Sequence, residues 1–217
     1  MPLRPPRRYL TLASPASAEL EVKRSRFVCD LAPAATEESA RAFVDQVRAR
    51  SRDARHHCTA FVLGPDGATL RSNDDGEPSG TAGAPMLDVL RGRGLTDVVA
   101  VVTRWFGGTL LGTGGLIRAY GDAVSTAVDA ATVVTYELRE GLVVTVTGAD
   151  GPRLENALRG HPGCAVTSTA WGATGLVLGL AVEPGTQDSV RGLVGALTSG
   201  AGSLAAGPSS WVAVPAG

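Results

Sequence analysis

Residues Asp97–Thr103 read Asp-Val-Val-Ala-Val-Val-Thr, a β-branched run that is apolar on both faces. Such a run suits a strand buried in the middle of a sheet. Directly after it, five of the chain's 28 glycines (Gly107, Gly108, Gly112, Gly114 and Gly115) fall within nine residues. Apolar residues at helical spacing then run from Leu116 to about Ala131. A buried strand, a glycine-rich loop and a helix in succession point to a layered mixture of helices and strands.

The flanking sequence supports the same class. Leu20–Leu31 alternates as a strand, ended by Pro33. Thr36 is placed as a helix N-cap with Glu37 and Glu38 in the first turn, and Ala40, Phe43, Val44 and Val47 mark one face as far as Arg50. His57–Leu63 and Ala68–Ser72 flank Gly64-Pro65-Asp66-Gly67, a hairpin signal. A polar loop, Asn73–Gly83, leads into a short helix from about Pro85. Beyond a boundary near Thr132–Glu137, strands at Leu138–Thr147, Cys164–Trp171, Leu176–Val182 and within Ser203–Val214 alternate with helices at Pro152–Leu158 and Gln187–Leu197. That order is βαββαβ, ferredoxin-like. The expectation is therefore α+β: a flexible tail over 1–18, a two-layer α/β domain over 19–132, and a ferredoxin-like domain over 136–217.

Composition narrows the function classes. No stretch reaches the roughly 18–20 apolar residues that a membrane helix needs, so no membrane association is expected. The basic tail with Arg4, Arg7 and Arg8 is followed by about five apolar residues, too few for an export signal. Cys29, Cys58 and Cys164 lack paired spacing, which argues against a disulfide framework or structural zinc and for a reducing cytosol. The 20 basic and 21 acidic residues leave a net charge of −1, yet the charge is segregated: residues 1–60 hold 11 basic and 7 acidic side chains.

Three groups of residues could carry chemistry. The glycine-rich loop admits two readings, a tight turn under close packing or an anion site at a helix start, and the bracketing Arg104 and Arg118 favour a phosphate. It lacks the lysine of a Walker motif and the third glycine of a dinucleotide fingerprint. Asp74, Asp75 and Glu77 could hold Mg²⁺ or act as acid and base; they could equally form turns and cap the next helix. His56 and Cys58 share one face of a strand and His57 the other, so the three cannot bind one metal. On this reading His57 is a surface residue and His56 a hydrogen-bonded core or edge residue. No catalytic residue, metal or cofactor is assigned.

Arg24-Ser25-Arg26-Phe27, Asp53-Ala54-Arg55-His56-His57-Cys58, Asn73–Gly83 and Val99–Tyr120 resemble, in order and spacing, the signatures of the IMPACT/YigZ family. The resemblance spans residues 20–131 and is weaker in the tail. It implies a first domain similar to domain IV of translation elongation factor G, and a second similar to its domain V. Eukaryotic relatives act in translational control under nutrient stress. Thr59 stands where many relatives have an aromatic residue, and the short stretch before the first strand is expected to leave no room for their extra partner-binding domain.

Three functions remain open. The first is a cytosolic module that binds RNA or the ribosome through Arg104, Arg118 and the loop glycines. The second is an enzyme or binder of a phosphorylated small molecule, using His56, Asp74, Asp75 and Glu77. The third is a protein-interaction regulator without a small ligand. Oligomeric state is not legible.

Overall fold

The structure, a computed structural model, describes residues 6–147, 150–173 and 175–214. The chain divides into two compact units, one holding the described residues up to Tyr136 together with Val214, the other Glu137–Ala213.

In the first unit the elements are β1 (Arg8–Leu12), β2 (Ala16–Val22), β3 (Ser25–Pro33), α1 (Glu37–Arg50), β4 (His56–Leu63), β5 (Thr69–Asn73), α2 (Gly83–Gly92), β6 (Val98–Trp105) and α3 (Thr113–Ala130). Five strands form an antiparallel sheet in the order β2-β3-β6-β4-β5. The β-branched run is the middle strand, and Val98–Val102 are wholly buried.

The alternation of side chains across the sheet builds two cores. Phe27, Cys29, Cys58, Ala60, Val98, Ala100 and Val102 face Met86 and Leu90 of α2 and Leu116, Tyr120 and Val124 of α3. Phe61, Leu63, Val99 and Val101 face the other way, onto Ala40 and Val47 of α1. The α+β class is as expected, but the sheet carries helices on both faces where two layers were expected. A strand apolar on both faces needs that third layer, because an uncovered face would leave Val99 and Val101 in water.

Helix α1 starts as its sequence predicts: the Thr36 hydroxyl accepts from Ser39 N at 3.1 Å, and Ser39 Oγ accepts from Thr36 N at 3.2 Å.

Two features differ from expectation near the N-terminus. Leu20–Leu31 is not one strand: it folds back at Lys23 and Arg24, both at positive φ (47° and 66°), with Val22 paired to Ser25. Positive φ at both central positions marks a two-residue type I′ hairpin, usually signalled by Asn-Gly, so Lys-Arg conceals it. Nor is 1–18 a free tail throughout. Residues 8–12 form β1, Leu12 is buried in the core, Thr11 Oγ1 donates to Asp97 O at 3.0 Å, and Thr96 N donates to Leu10 O at 2.9 Å. Arg4 lies outside the described residues.

β7 (Val133–Val146) carries the chain into the second unit, so the expected boundary falls within a strand. There follow α4 (Gly151–Arg159), β8 (Cys164–Gly172), β9 (Gly175–Val182), α5 (Gln187–Leu197) and β10 (Ser203–Val214). β9 pairs antiparallel with β7 and β8, and β10 pairs with β7, giving the order β10-β7-β9-β8. Leu154 and Leu158 of α4 and Val190 and Val194 of α5 pack on Val144, Leu176, Leu178 and Leu180. Element and strand order are those of a ferredoxin-like sandwich.

One close approach in the first unit sets up its functional end. A Cβ on Gly107 would lie 2.0 Å from the carbonyl carbon and oxygen of Arg24, whereas one on Gly114 would meet nothing within 4 Å. Gly107→Ala is expected to destabilise the protein by about 3 kcal/mol, as overpacking against backbone does. Gly114→Ala is expected to be neutral or slightly stabilising, and urea unfolding of the two variants checks the contrast.

Candidate functional site

The candidate residues gather at the end of the sheet where β6 runs into the glycine-rich loop. Arg104 sits near the end of β6, paired across the sheet with His56 of β4 and Phe27 of β3. Its side chain points inward and is only 7% exposed. Arg104 Nη1 donates to Glu77 Oε1 at 2.6 Å, and the Tyr120 hydroxyl of α3 donates to the same oxygen at 2.7 Å. The Arg104 guanidinium lies 5.4 Å from the Phe27 ring centroid and 5.7 Å from that of Phe106. A charge held this way, with its carboxylate also buried, is internal structure. Arg104 therefore does not stand as a free phosphate ligand beside the loop.

The acidic loop is similarly engaged. Asp74 accepts from the backbone N–H groups of Gly80 (2.8 Å), Ala82 (3.0 Å) and Gly83 (2.8 Å), capping α2, whose own N-cap, Ala82, has no polar side chain. Burial disfavours the Asp74 carboxylate, but the N–H donors of Gly80, Gly83 and Ala82 together outweigh it and hold its pKa below the ordinary aspartate value. Asp75 takes Arg48 Nη2 at 2.8 Å and His57 N at 2.7 Å. His56 Nδ1 lies 2.8 Å from Asp75 O. His57 is buried where a surface position was expected, because its Nε2 reaches Ser51 O at 3.1 Å below α1. Cys58 Sγ lies 3.3 Å from the Tyr120 hydroxyl and 3.0 Å from Asp74 O, and burial pushes its pKa up to about 12. It is an inert core thiol.

His56, Asp74, Asp75 and Glu77 thus do lie beside the start of the glycine-rich loop, joined to it by the Arg104–Glu77 pair. What they form is a satisfied network and not an open acid–base pair. Among the described residues no group of three or more His, Cys, Asp or Glu side chains could hold a metal ion.

The glycine-rich loop has a buried root and an exposed tip. Gly107 N donates to the buried Ser25 hydroxyl at 3.2 Å, and Arg24 Nη2 donates to Thr109 Oγ1 at 3.0 Å. Gly108 and Gly112 take positive φ (83° and 71°), and Gly112 N-caps α3. Gly114 and Gly115 lie in the first turn of α3, where no side chain caps the helix. Beyond the root, Phe106 is 50% exposed and Leu110 83% exposed. Arg118 is exposed and makes no ion pair among the described residues. It shares a cavity of about 230 Å³ with Lys23, Leu111, Gly115 and Asp122. Trp105 is occupied: its Nε1 donates to Asp53 Oδ2 at 2.8 Å and the Arg26 guanidinium covers its ring at 4.4 Å. Sequence reasoning missed the hairpin cations Lys23 and Arg24, because the turn that places them has no glycine or asparagine.

These features define a class: a helix-covered antiparallel sheet with an anchored glycine-rich loop, followed by a ferredoxin-like unit. A family model for the Impact N-terminal domain matches residues 23–128. The IMPACT family member YvyE of Bacillus subtilis is 44% identical over 154 residues, covering 70% of each chain. The IMPACT family member YigZ of Escherichia coli is 51% identical over 121 residues, covering 55% of this chain and 59% of the relative. A crystal structure described as a hypothetical protein superposes with a TM-score of 0.67 at 36% identity, over 91% of this chain and 96% of that one. The chain belongs to the IMPACT family.

Two outcomes test the site's internal logic. Arg104→Ala strands the Glu77 carboxylate and is expected to cost about 3–5 kcal/mol in urea unfolding, whereas Arg118→Ala, on the surface, is expected to cost less than about 0.5 kcal/mol. Because the folded pKa of Asp74 is depressed, its contribution is fully present above the unfolded value and is lost as pH falls through the folded one. The stability gap between wild type and Asp74→Asn should therefore be constant above about pH 4 and shrink below it.

Proposed function

We propose that this protein is a translation-associated regulator of the cytosol that binds RNA or the ribosome through its glycine-rich loop, residues 107–115. The observation that carries the reading is the division of labour in that loop. Its root is fixed by Ser25 and by the close approach of Arg24 to Gly107, while Phe106, Leu110 and Arg118 remain exposed. An anchored, exposed surface with a cation and a half-exposed aromatic ring suits a partner gripped by phosphate contacts and stacking. The similarity to elongation factor G domains IV and V implied by the family resemblance, and the translational role of eukaryotic relatives, point the same way. That no helix among the described residues is long and apolar enough to cross a membrane is compatible with it.

An enzyme acting on a phosphorylated small molecule is the weaker reading. It needs free carboxylates, and Asp74, Asp75 and Glu77 each already hold donors: three backbone N–H groups, Arg48 with the His57 N–H, and Arg104 with Tyr120. A regulator that touches only protein would bind without salt-sensitive affinity for RNA.

Labelled single-stranded RNA and purified ribosomes provide the test. Binding at 50 mM KCl should weaken steeply with salt, and Arg118→Ala should make the slope of log K against log salt shallower by about 0.7, the value of one phosphate contact on a single strand. Absence of binding to either probe at low salt overturns the proposal.

A further inference from the structure

The Arg24-Ser25-Arg26-Phe27 signature is only partly explained by packing. Phe27 fills the core, Ser25 anchors Gly107, and Arg26 covers Trp105. The turn residues Lys23 and Arg24 have no core role. Both are exposed, and both hold a left-handed backbone (φ 47° and 66°) that long side chains seldom adopt. Asn-Gly would make the same type I′ turn with less strain. Lys-Arg at this turn supplies charge at the expense of backbone ease.

The surroundings hold that charge in place. The Arg24 carbonyl rests where a side chain on Gly107 would be, and Arg24 Nη2 reaches Thr109, so hairpin turn and glycine-rich loop form one ledge. Lys23 lines the same cavity as Arg118, with Asp122 the one lining carboxylate among the described residues. Among the described residues neither Lys23 nor Arg24 makes an ion pair, unlike Arg26, which is held by Glu19 at 3.1 Å. Half-exposed Phe106 stands at the root of the ledge.

We infer that the Lys23–Arg24 turn is a phosphate-gripping element, which with Arg118 and Phe106 forms a composite site for the backbone and a stacked base of single-stranded RNA. The inference rests on the RNA-binding reading above and assigns its grip to a hairpin outside the glycine-rich loop. Three cations on one ledge beside an aromatic face match a phosphodiester chain with unpaired bases. An acidic protein segment would use the cations and leave the ring without a role.

The test exchanges the turn for its less strained form. Full-length Lys23→Asn/Arg24→Gly is compared with wild type by thermal unfolding and by anisotropy with a labelled 20-nucleotide single-stranded RNA at 50–300 mM KCl. The expected result is an unchanged or higher Tm with at least tenfold weaker RNA binding at 50 mM KCl. The salt slope should be shallower by about 1.4, the loss of two phosphate contacts. Phe106→Ala should weaken binding with no change of slope. If wild type binds RNA, Arg118→Ala weakens it, and the turn variant binds as wild type does, the inference is overturned while the broader reading stands. If neither RNA nor ribosomes bind wild type, both fall. Ribosome binding that persists in 0.5 M KCl without affinity for free RNA assigns the ledge to protein and also overturns the inference.

Discussion

The buried ion pair between Arg104 and Glu77 is the contact on which this end of the first unit depends. Arg104 comes from the central strand, Glu77 from the acidic loop and Tyr120, which shares the Glu77 oxygen, from α3. Three segments distant in sequence are thus tied at one carboxylate. Burying two charges brings little net stability over an apolar alternative, because desolvation offsets most of the attraction. The pair does fix registry. If Glu77 moved, Asp74 would leave the start of α2 and the acidic loop would lose its hold on β4. If Tyr120 moved, α3 and the glycines preceding it would shift relative to Ser25. Among the described residues Arg104 Nε has no partner of its own, so the geometry is enforced by its neighbours and not by complete satisfaction of the guanidinium.

The same pair explains why part of the site was legible and part was not. Pattern revealed the elements: the apolar run of β6, the Thr36 cap and the periodicity of α3 all report local preferences that the fold keeps. Proximity of Arg104 to the glycine-rich loop was equally plain. Its direction was not, because an arginine next to a loop reads as a surface cation unless its buried carboxylate, 27 residues away, is known. The burial of His57 is hidden in the sequence for the same reason: Ser51 O, its partner, is a backbone atom that no residue pattern advertises. The carboxylates were recognised as a group, yet whether they act on a ligand or on backbone N–H groups is decided by chain reversal at Asp75 and Gly76.

Other misses have a common physical origin in tertiary override of local signals. The hairpin at Lys23–Arg24 forms against the preference of its residues, held by seven paired positions from Ala16↔Leu31 to Val22↔Ser25. Strand β1 looked like tail because Pro, Arg and Ser surround it, but burial of Leu12 and the bonds to Thr96 and Asp97 recruit it. The second unit was read more completely, because its strands and helices alternate at short range and its core is one-sided.

Net charge acquires meaning once inward and outward charges are separated. Glu77 neutralises Arg104 in the interior, Asp75 takes Arg48, and Asp30 and Glu19 lie against Arg50 and Arg26. These pairs consume acid and base one for one, and Asp74 spends its charge on α2. A total of −1 is thus compatible with a local cationic surface, because a field at the ledge depends on charges within about one Debye length and not on the sum over the chain. Lys23 and Arg118 line one cavity, in which Asp122 is the one carboxylate among the described residues, and Arg24 reaches Thr109 of the glycine-rich loop. The carboxylates of the acidic loop are turned onto Arg104, Tyr120, Arg48 and the start of α2, so their charge is met within the first unit.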